Sequence, residues 1–272
     1  MATSNLTLLL KIMEQLRDPT TGCPWDIKQS FSSIVPHTIE EAYEVADAIE
    51  QNDFKELKLE LGDLLFQVVF YAQMAKEQNL FEFDDIIESL NEKLVRRHPH
   101  VFSDTEFQDE AAIHANWESE KEKERASKAQ QKNKDDSVLD NIPSVLPAMS
   151  RAYKIQKRCA NVGFDWKQLE PVVAKIHEEI DEVLVEVKRT DLSDNEKQLR
   201  IEDELGDLLF ANVNLVRHLQ ANPEQVLRQA NLKFEKRFRQ VEQQVINQGK
   251  QMEDCSLEEL DDIWNDVKKR QG

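Results

Sequence analysis

The sequence predicts an all-α protein built as two tandem four-helix bundles, and three observations carry that prediction. The heptapeptide ELGDLLF stands at residues 60–66 and returns letter for letter at 204–210. Only 6 Gly and 8 Pro in 272 residues, beside a charged share of 32%, leave few positions for turns and favour helices. No segment sustains the period-two alternation with β-branched enrichment that a strand needs.

From the N-terminus, LTLLLKIM at 6–13 is short, broken by Lys11 and followed by EQLRD, so it fits neither a signal peptide nor a membrane span. GCPWD at 22–26 reads as a turn that places Trp25 and Asp26 ahead of a helix bearing EEAYE at 40–44. The next helix carries ELGDLLF and continues through QVVFYAQMA, and a third carries NEKLVRR at 91–97. The same order recurs downstream as VGFDW at 162–166, EEIDE at 178–182, ELGDLLF with ANVNLVRHL, and NLKFEKR at 231–237. The offset between the heptapeptides, 204 less 60, is 144. Trp117 and Trp264 each close a copy ahead of a basic-rich tail, so five features recur in one order and indicate a duplication.

Between the copies, SEKEKERASKAQQKNKDDS at 119–137 has no aromatic residue and reads as a solvated helix end or linker. Pro143 and Pro147 then punctuate the chain. The expected domains are residues 1–135 and 136–272, each long enough to bury a core.

On a helix, residues three apart share a face with Cβ atoms about 5–6 Å apart. Glu179 with Glu182, and Glu204 with Asp207, are such pairs, so two helices packed face to face bring four carboxylates into one pocket. Glu41, Glu44, Glu60 and Asp63 form the same set in the first copy. EExxE alone is the weaker signal, since double glutamates usually mark a solvated face. The acids of ELGDLLF sit among Leu59, Leu61, Leu64, Leu65 and Phe66, which predicts a buried or half-buried face for them. Clustered carboxylates out of water cost several kcal/mol per ion unless a cation compensates. Oxygen ligands without partnered histidine or thiolate select magnesium, with manganese as the other fit. Gly62 and Gly206 weaken a helix interior, which is tolerable where a neighbouring helix or a ligand comes close.

The duplicated pattern of EExxE, ExxD within ELGDLLF and an Asn/Lys/Arg helix resembles the MazG nucleoside triphosphate pyrophosphohydrolases over nearly the whole chain. That resemblance implies an all-α fold, magnesium dependence, homodimerisation and hydrolysis of nucleoside triphosphates between the α and β phosphates, releasing monophosphate and pyrophosphate. It implies metal-binding and catalytic roles for Glu179, Glu182, Glu204 and Asp207. It makes Lys233 and Arg237 the cations on the phosphate chain and Trp264 an aromatic that closes over the nucleotide. Lys93, Arg97 and Trp117 are the first-copy equivalents, beside Glu41, Glu44, Glu60 and Asp63. Trp25 and Trp166 either contact the base or staple their turns.

Both copies keep four acids, the Lys and the Arg, but Arg200 stands one turn before Glu204 where Glu56 stands before Glu60. A cation there favours a polyanionic ligand and an anion opposes it, so the second copy is the expected principal site and Arg200 a substrate contact.

A formal net charge of −18 and a pI near 4.8 oppose a nucleic-acid partner, whose affinity comes from Lys and Arg releasing counterions. Three dispersed cysteines, Cys23, Cys159 and Cys255, form neither a zinc clasp nor a disulfide framework and fit a reducing, cytoplasmic setting with no membrane association. A carboxylate-bridged di-iron bundle needs Glu-x-x-His, and none of the six histidines follows a glutamate by three. The alternative to an enzyme is a helical nucleotide-sensing or protein-interaction module, in which magnesium leaves thermal stability unchanged.

Overall fold

The computed structural model describes residues 4–131 and 137–271. Helices dominate, and no strand occurs among the described residues. The chain divides into two compact units, Met1–Glu122 and Lys123–Gly272. The boundary expected between 135 and 136 falls where residues 132–136 lie outside the described residues.

The first unit runs α1 (Asn5–Leu16), the short α2 (Pro24–Lys28), α3 (Phe31–Glu50), α4 (Phe54–Glu77), α5 (Phe83–Arg97), the short α6 (Pro99–Phe102) and α7 (Glu110–Gln131), which crosses the division between the units. Local chemistry fixes the starts. Ser4 Oγ accepts from the Thr7 amide, Ser30 and Ser33 form a capping box, and Asp53 accepts from the amides of Lys55 and Glu56. The stops are equally local. Asn52 and Asn79 take left-handed φ of 56° and 54°, which lets the following amides, Asp53 and Leu80, donate back to the carbonyls of Ala48 and Ala75.

Helices α3 and α4 pack along each other and α1 packs on α4, as the 3.6-residue stripe of α4 demands. Val69, Phe70, Ala72 and Met74 of α4 form the core with Met13, Ile34 and Phe83. Arg17 closes its edge, with its guanidinium 5.4 Å from the Phe70 ring centroid and 2.6 Å from Glu77.

The second unit runs α8 (Ala148–Asn161), α9 (Leu169–Lys188), α10 (Asp194–His218), α11 (Pro223–Asn247) and α12 (Leu257–Gln271), with a 3-10 turn at Met252–Asp254. Helices α9 and α10 pair as α3 and α4 do, α8 packs on α10, and α11 packs on α12 around Val241, Val245 and Val267. The second heptapeptide thus falls on α10, facing α9 with EEIDE, as the repeat requires.

Candidate active site

Across α9 and α10, carboxylate oxygens of Glu179, Glu204 and Asp207 lie within 4.8 Å of one another. Glu182 joins them from one turn further along α9. Desolvation first, then a hydrogen bond and the charge of Glu179, with a smaller push from Glu204, raise its carboxyl above the ordinary glutamate range, although Lys175 pulls the other way. The spacing argument therefore places all four acids on facing helices.

Glu179 is the buried member, 4% exposed, and its Oε2 has no hydrogen-bond partner. Its Oε1 accepts from Lys175 Nζ at 2.8 Å, and Glu178 accepts from the same ammonium at 2.9 Å. Those two hydrogen bonds hold the Lys175 ammonium well above the usual lysine range. A buried carboxylate oxygen left unsatisfied is costly, and a hard divalent cation is the partner that three oxygens this close would accept. Lysine at the position one turn before the motif acid was not singled out from sequence, although the i, i+4 spacing could have revealed it.

The burial meets the sequence expectation in part: Glu60 and Glu204 of the heptapeptides are half-buried, whereas Asp63 and Asp207 are exposed. The fully buried acid of the second unit, Glu179, comes instead from the EExxE motif. Leu61, Leu65, Leu205 and Leu209 are themselves exposed within the chain, so the apolar neighbours do not bury the acids beside them. Nor do the heptapeptide glycines mark a tight helix contact: a Cβ at Gly62 or Gly206 meets nothing within 4 Å.

A cavity of about 600 Å³ opens beside Glu179, Asp207 and Lys175, walled by Trp166, Phe164, Phe210 and Ala211, with Gln156 and Asn214 among its polar groups. Gly163, at φ +88°, turns the chain out of α8 and delivers Phe164, Asp165 and Trp166 to it. Asp165 pins that loop to α10, accepting from Arg217 at 2.6 Å and lying 3.0 Å from His218 Nε2. Burial pushes the Asp165 carboxyl upward, but the hydrogen bonds and charges of Arg217 and His218 outweigh it and hold the group below the usual aspartate range.

In the first unit, Glu41, Glu44 and Glu60 form the equivalent trio. Desolvation and the charges of Asp63, Glu44 and Glu40 raise the Glu41 carboxyl. Glu60 is raised by desolvation, Glu44 and Glu56. Glu56, in the register of Arg200, adds its charge against Glu60 and lines a recess of about 220 Å³ together with Glu44, Asp47 and Asp53. A lining with these acids and no basic residue, Ala48 and Gln51 being the neutral members, repels a phosphate chain.

The other expected residues lie elsewhere. Arg200 is exposed near the start of α10, its charge acting on Asp191 and Glu196. Lys233 and Arg237 follow one another along α11, exposed and half-buried, outside the lining of the cavity. Trp264 packs against Phe234 at 5.0 Å and joins the Val241 cluster between α11 and α12. Lys93 and Arg97 are half-buried on α5, and Trp117 is wedged between His98 and His114 at 5.4 and 5.0 Å. Within one chain, then, three acids of each unit converge, with the charges of Glu182 and Asp63 acting on their neighbours, while Lys233, Arg237 and Trp264 lie outside the lining of the cavity.

Paired helices presenting converged carboxylates beside a cavity with aromatic walls form a group that could hold a cation next to a ring-bearing ligand. The chain belongs to the MazG nucleotide pyrophosphohydrolase domain family, whose model matches residues 29–102 and 167–242. It is 53% identical over 263 residues to the nucleoside triphosphate pyrophosphohydrolase of Escherichia coli K12, covering 97% of each chain. It is 42% identical over 260 residues to the nucleoside triphosphate pyrophosphohydrolase/pyrophosphatase MazG of Thermotoga maritima, covering 96% of this chain and 94% of that one. A protein of Bacillus subtilis, YabN, is 41% identical over 258 residues, spanning 95% of this chain and 50% of that protein.

Proposed function

We propose that the chain hydrolyses nucleoside triphosphates to nucleoside monophosphate and pyrophosphate, with the second unit as the principal site. The observation that carries this reading is the trio Glu179, Glu204 and Asp207, with its partnerless buried oxygen, opening directly onto a cavity that an aromatic ring can enter. Family membership supports the reaction and its position: water adds across the α–β anhydride, one P–O bond to the bridging oxygen breaks, and one P–O bond to the water oxygen forms. Both protons of that water leave with the products or pass to solvent.

Glu179, Glu182, Glu204 and Asp207 hold magnesium, or manganese, in this reading. A bound divalent cation supplies Lewis-acid polarisation and neutralises oxygen charge. Lys175, already at the rim of the acids, offers its ammonium to phosphoryl oxygens, which no carboxylate approaches. Arg200, Lys233, Arg237 and Trp264 contribute further substrate contacts. Since the last three lie away from the cavity within one chain, a second copy is their natural route to the ligand. The exposed Leu61 and Leu65 of α4 and Leu205 and Leu209 of α10 support homodimerisation, because apolar faces left open on paired helices gain stability when covered. The first unit contributes less to turnover, five of the seven residues that line its recess being acidic and none basic.

No helix among the described residues is long and apolar enough to cross a membrane. Free Cys23, Cys159 and Cys255 support a reducing, cytoplasmic setting, and the net charge of −18 opposes a nucleic-acid partner. Incubation with a panel of ribo- and deoxyribonucleoside triphosphates and magnesium tests the reaction. Monophosphate and pyrophosphate in equal amounts are expected; orthophosphate as the sole inorganic product contradicts it.

A further inference from the structure

One of the three free thiols borders the cavity of the second unit. Ile155, Gln156 and Cys159 line it from α8, and residues four apart share a helix face, so the Cys159 side chain leaves α8 on the side that Ile155 turns to the cavity. The other two thiols stand elsewhere. Cys23 precedes α2 in the first unit, and Cys255 packs against the Val241 cluster with its Sγ 3.6 Å from the Gln251 carbonyl. Gln156, only 7% exposed, donates from Nε2 to the Phe210 carbonyl at 2.8 Å, which leaves Oε1 as the remaining acceptor, buried and without a partner. Glu179 Oε2 is a second such atom in the same lining. Two buried acceptors without partners mark the cavity as a place that a ligand enters. Trp166 and Phe164, also in the lining, are 44% and 81% exposed and give a planar molecule ring faces to rest against.

The first unit offers no thiol at the corresponding place. KIMEQL at 11–16 and KIQKRC at 154–159 share their opening Lys-Ile, and in that register Met13 and Leu16 stand where Gln156 and Cys159 do. Met13 belongs to the core of the first unit and Leu16 packs against it. A reagent that enters the second unit's cavity therefore meets a nucleophile that the first unit replaces by hydrocarbon.

We propose that Cys159 is a covalent modification site: the cavity holds planar electrophiles of the α,β-unsaturated carbonyl class, the thiol adds to them, and the adduct shuts the second unit. This rests on the hydrolase reading and adds a means of regulating the same site. The thiolate is the nucleophile. Its sulfur adds to the β carbon of the conjugated C=C, one C–S bond forms as the π bond is lost, and the α carbon takes up a proton equivalent to the one the thiol gave up. Nothing leaves, and no oxidant or reductant is needed. An adduct there stands beside Lys175, Glu179 and Asp207, which line the same cavity, and so it closes the site to triphosphates.

In the test, the full chain is treated with N-phenylmaleimide, adducts at Cys23, Cys159 and Cys255 are followed by peptide mass spectrometry, and turnover of adenosine triphosphate with magnesium is read alongside. Turnover should fall in step with the Cys159 adduct, and Cys159→Ser under the same treatment should keep the rate it has untreated. An uncleavable triphosphate with magnesium, at about ten times its Kd, leaves about a tenth of the sites open and should slow Cys159 labelling by about tenfold, with no such protection at Cys23 or Cys255. A ring that leaves water gains affinity, so the ratio of N-phenyl- to N-ethylmaleimide rates should be at least about threefold higher at Cys159 than at Cys255. Four results each overturn the proposal while leaving the hydrolase reading intact: turnover that survives complete Cys159 labelling, labelling that the triphosphate does not slow, Cys159→Ser inactivated as fast as the wild type, or equal ratios at the two thiols. Should the untreated chain hydrolyse no triphosphate, the hydrolase reading falls on its own and the ratio alone decides the modification site. A preference at Cys159 then supports it, and equal ratios overturn it.

Discussion

Replacing Glu179 by glutamine separates the cost of gathering the acids from the gain of filling them. The substitution keeps shape and volume and removes one charge. In the metal-free chain two consequences oppose each other. Lys175 loses the opposite charge it meets at 2.8 Å, though the amide oxygen can still accept from it, and its side chain is 35% exposed and keeps Glu178 at 2.9 Å, so no buried cation is stranded. Glu204 and Asp207 meanwhile lose a like charge, since their oxygens and those of Glu179 lie within 4.8 Å of one another. A partly exposed ion pair is worth about 1 kcal/mol or less, so metal-free stability should move by no more than that, in either direction.

With metal the prediction is one-sided. A ligand at 100 times its Kd stabilises the folded state by about 2.7 kcal/mol. For units of this size that corresponds to a rise in Tm of roughly 5–10 °C. The wild type should show that rise on adding magnesium, Glu179→Gln should show almost none, and hydrolysis should fall by at least about a hundredfold, the scale on which removal of a charge-stabilising group acts. The assay is thermal unfolding with and without magnesium, beside turnover of one triphosphate. A Glu179→Gln protein that keeps the full magnesium shift refutes the reasoning, because the buried carboxylate would then not be among the ligands.

Three further outcomes are expected. Arg200→Glu, which gives α10 the anion that α4 carries at Glu56, should raise KM for triphosphates by about tenfold or more through repulsion of the phosphate chain, read from steady-state kinetics. Glu41→Gln combined with Asp63→Asn should leave most of the hydrolytic rate intact, and loss of activity in that double variant would move the principal site to the first unit. Asp165→Asn tests the loop anchor by its pH dependence. A carboxyl whose folded pKa is depressed contributes stability that is present above its unfolded value, near 3.9, and is lost as pH falls through the folded value. The wild type should therefore exceed Asp165→Asn in urea-unfolding stability at pH 5, and the margin should shrink below pH 4.

The parts of the fold that were legible in the sequence are those governed by local periodicity. EEIDE and the second ELGDLLF each carry their acids three apart, and a helix needs nothing else to put them on one face, so the convergence of Glu179, Glu182, Glu204 and Asp207 followed from spacing alone. Burial followed only in part, at Glu60 and Glu204 but not at Asp63 and Asp207, because it depends on what packs above a residue rather than beside it. Glu179 is covered by the meeting of α9 and α10, while Leu205 and Leu209 stay exposed although their letters look internal.

The cavity was illegible for the same reason. Gln156 comes from α8, Trp166 from the loop after it and Asn214 from α10, three places that no motif links. Trp166 alone was flagged, as a residue that either meets the base or staples its turn.

The most direct measurement is an experimental structure of the chain with magnesium and a triphosphate made uncleavable by an α,β-imido bridge. The expected result is magnesium about 2.0–2.1 Å from oxygens of Glu179, Glu204 and Asp207, the distance this ion demands, with the phosphates beside it. A nucleotide bound elsewhere, with those three carboxylates turned apart into solvent and no metal between them, contradicts the claim that a cation holds them together.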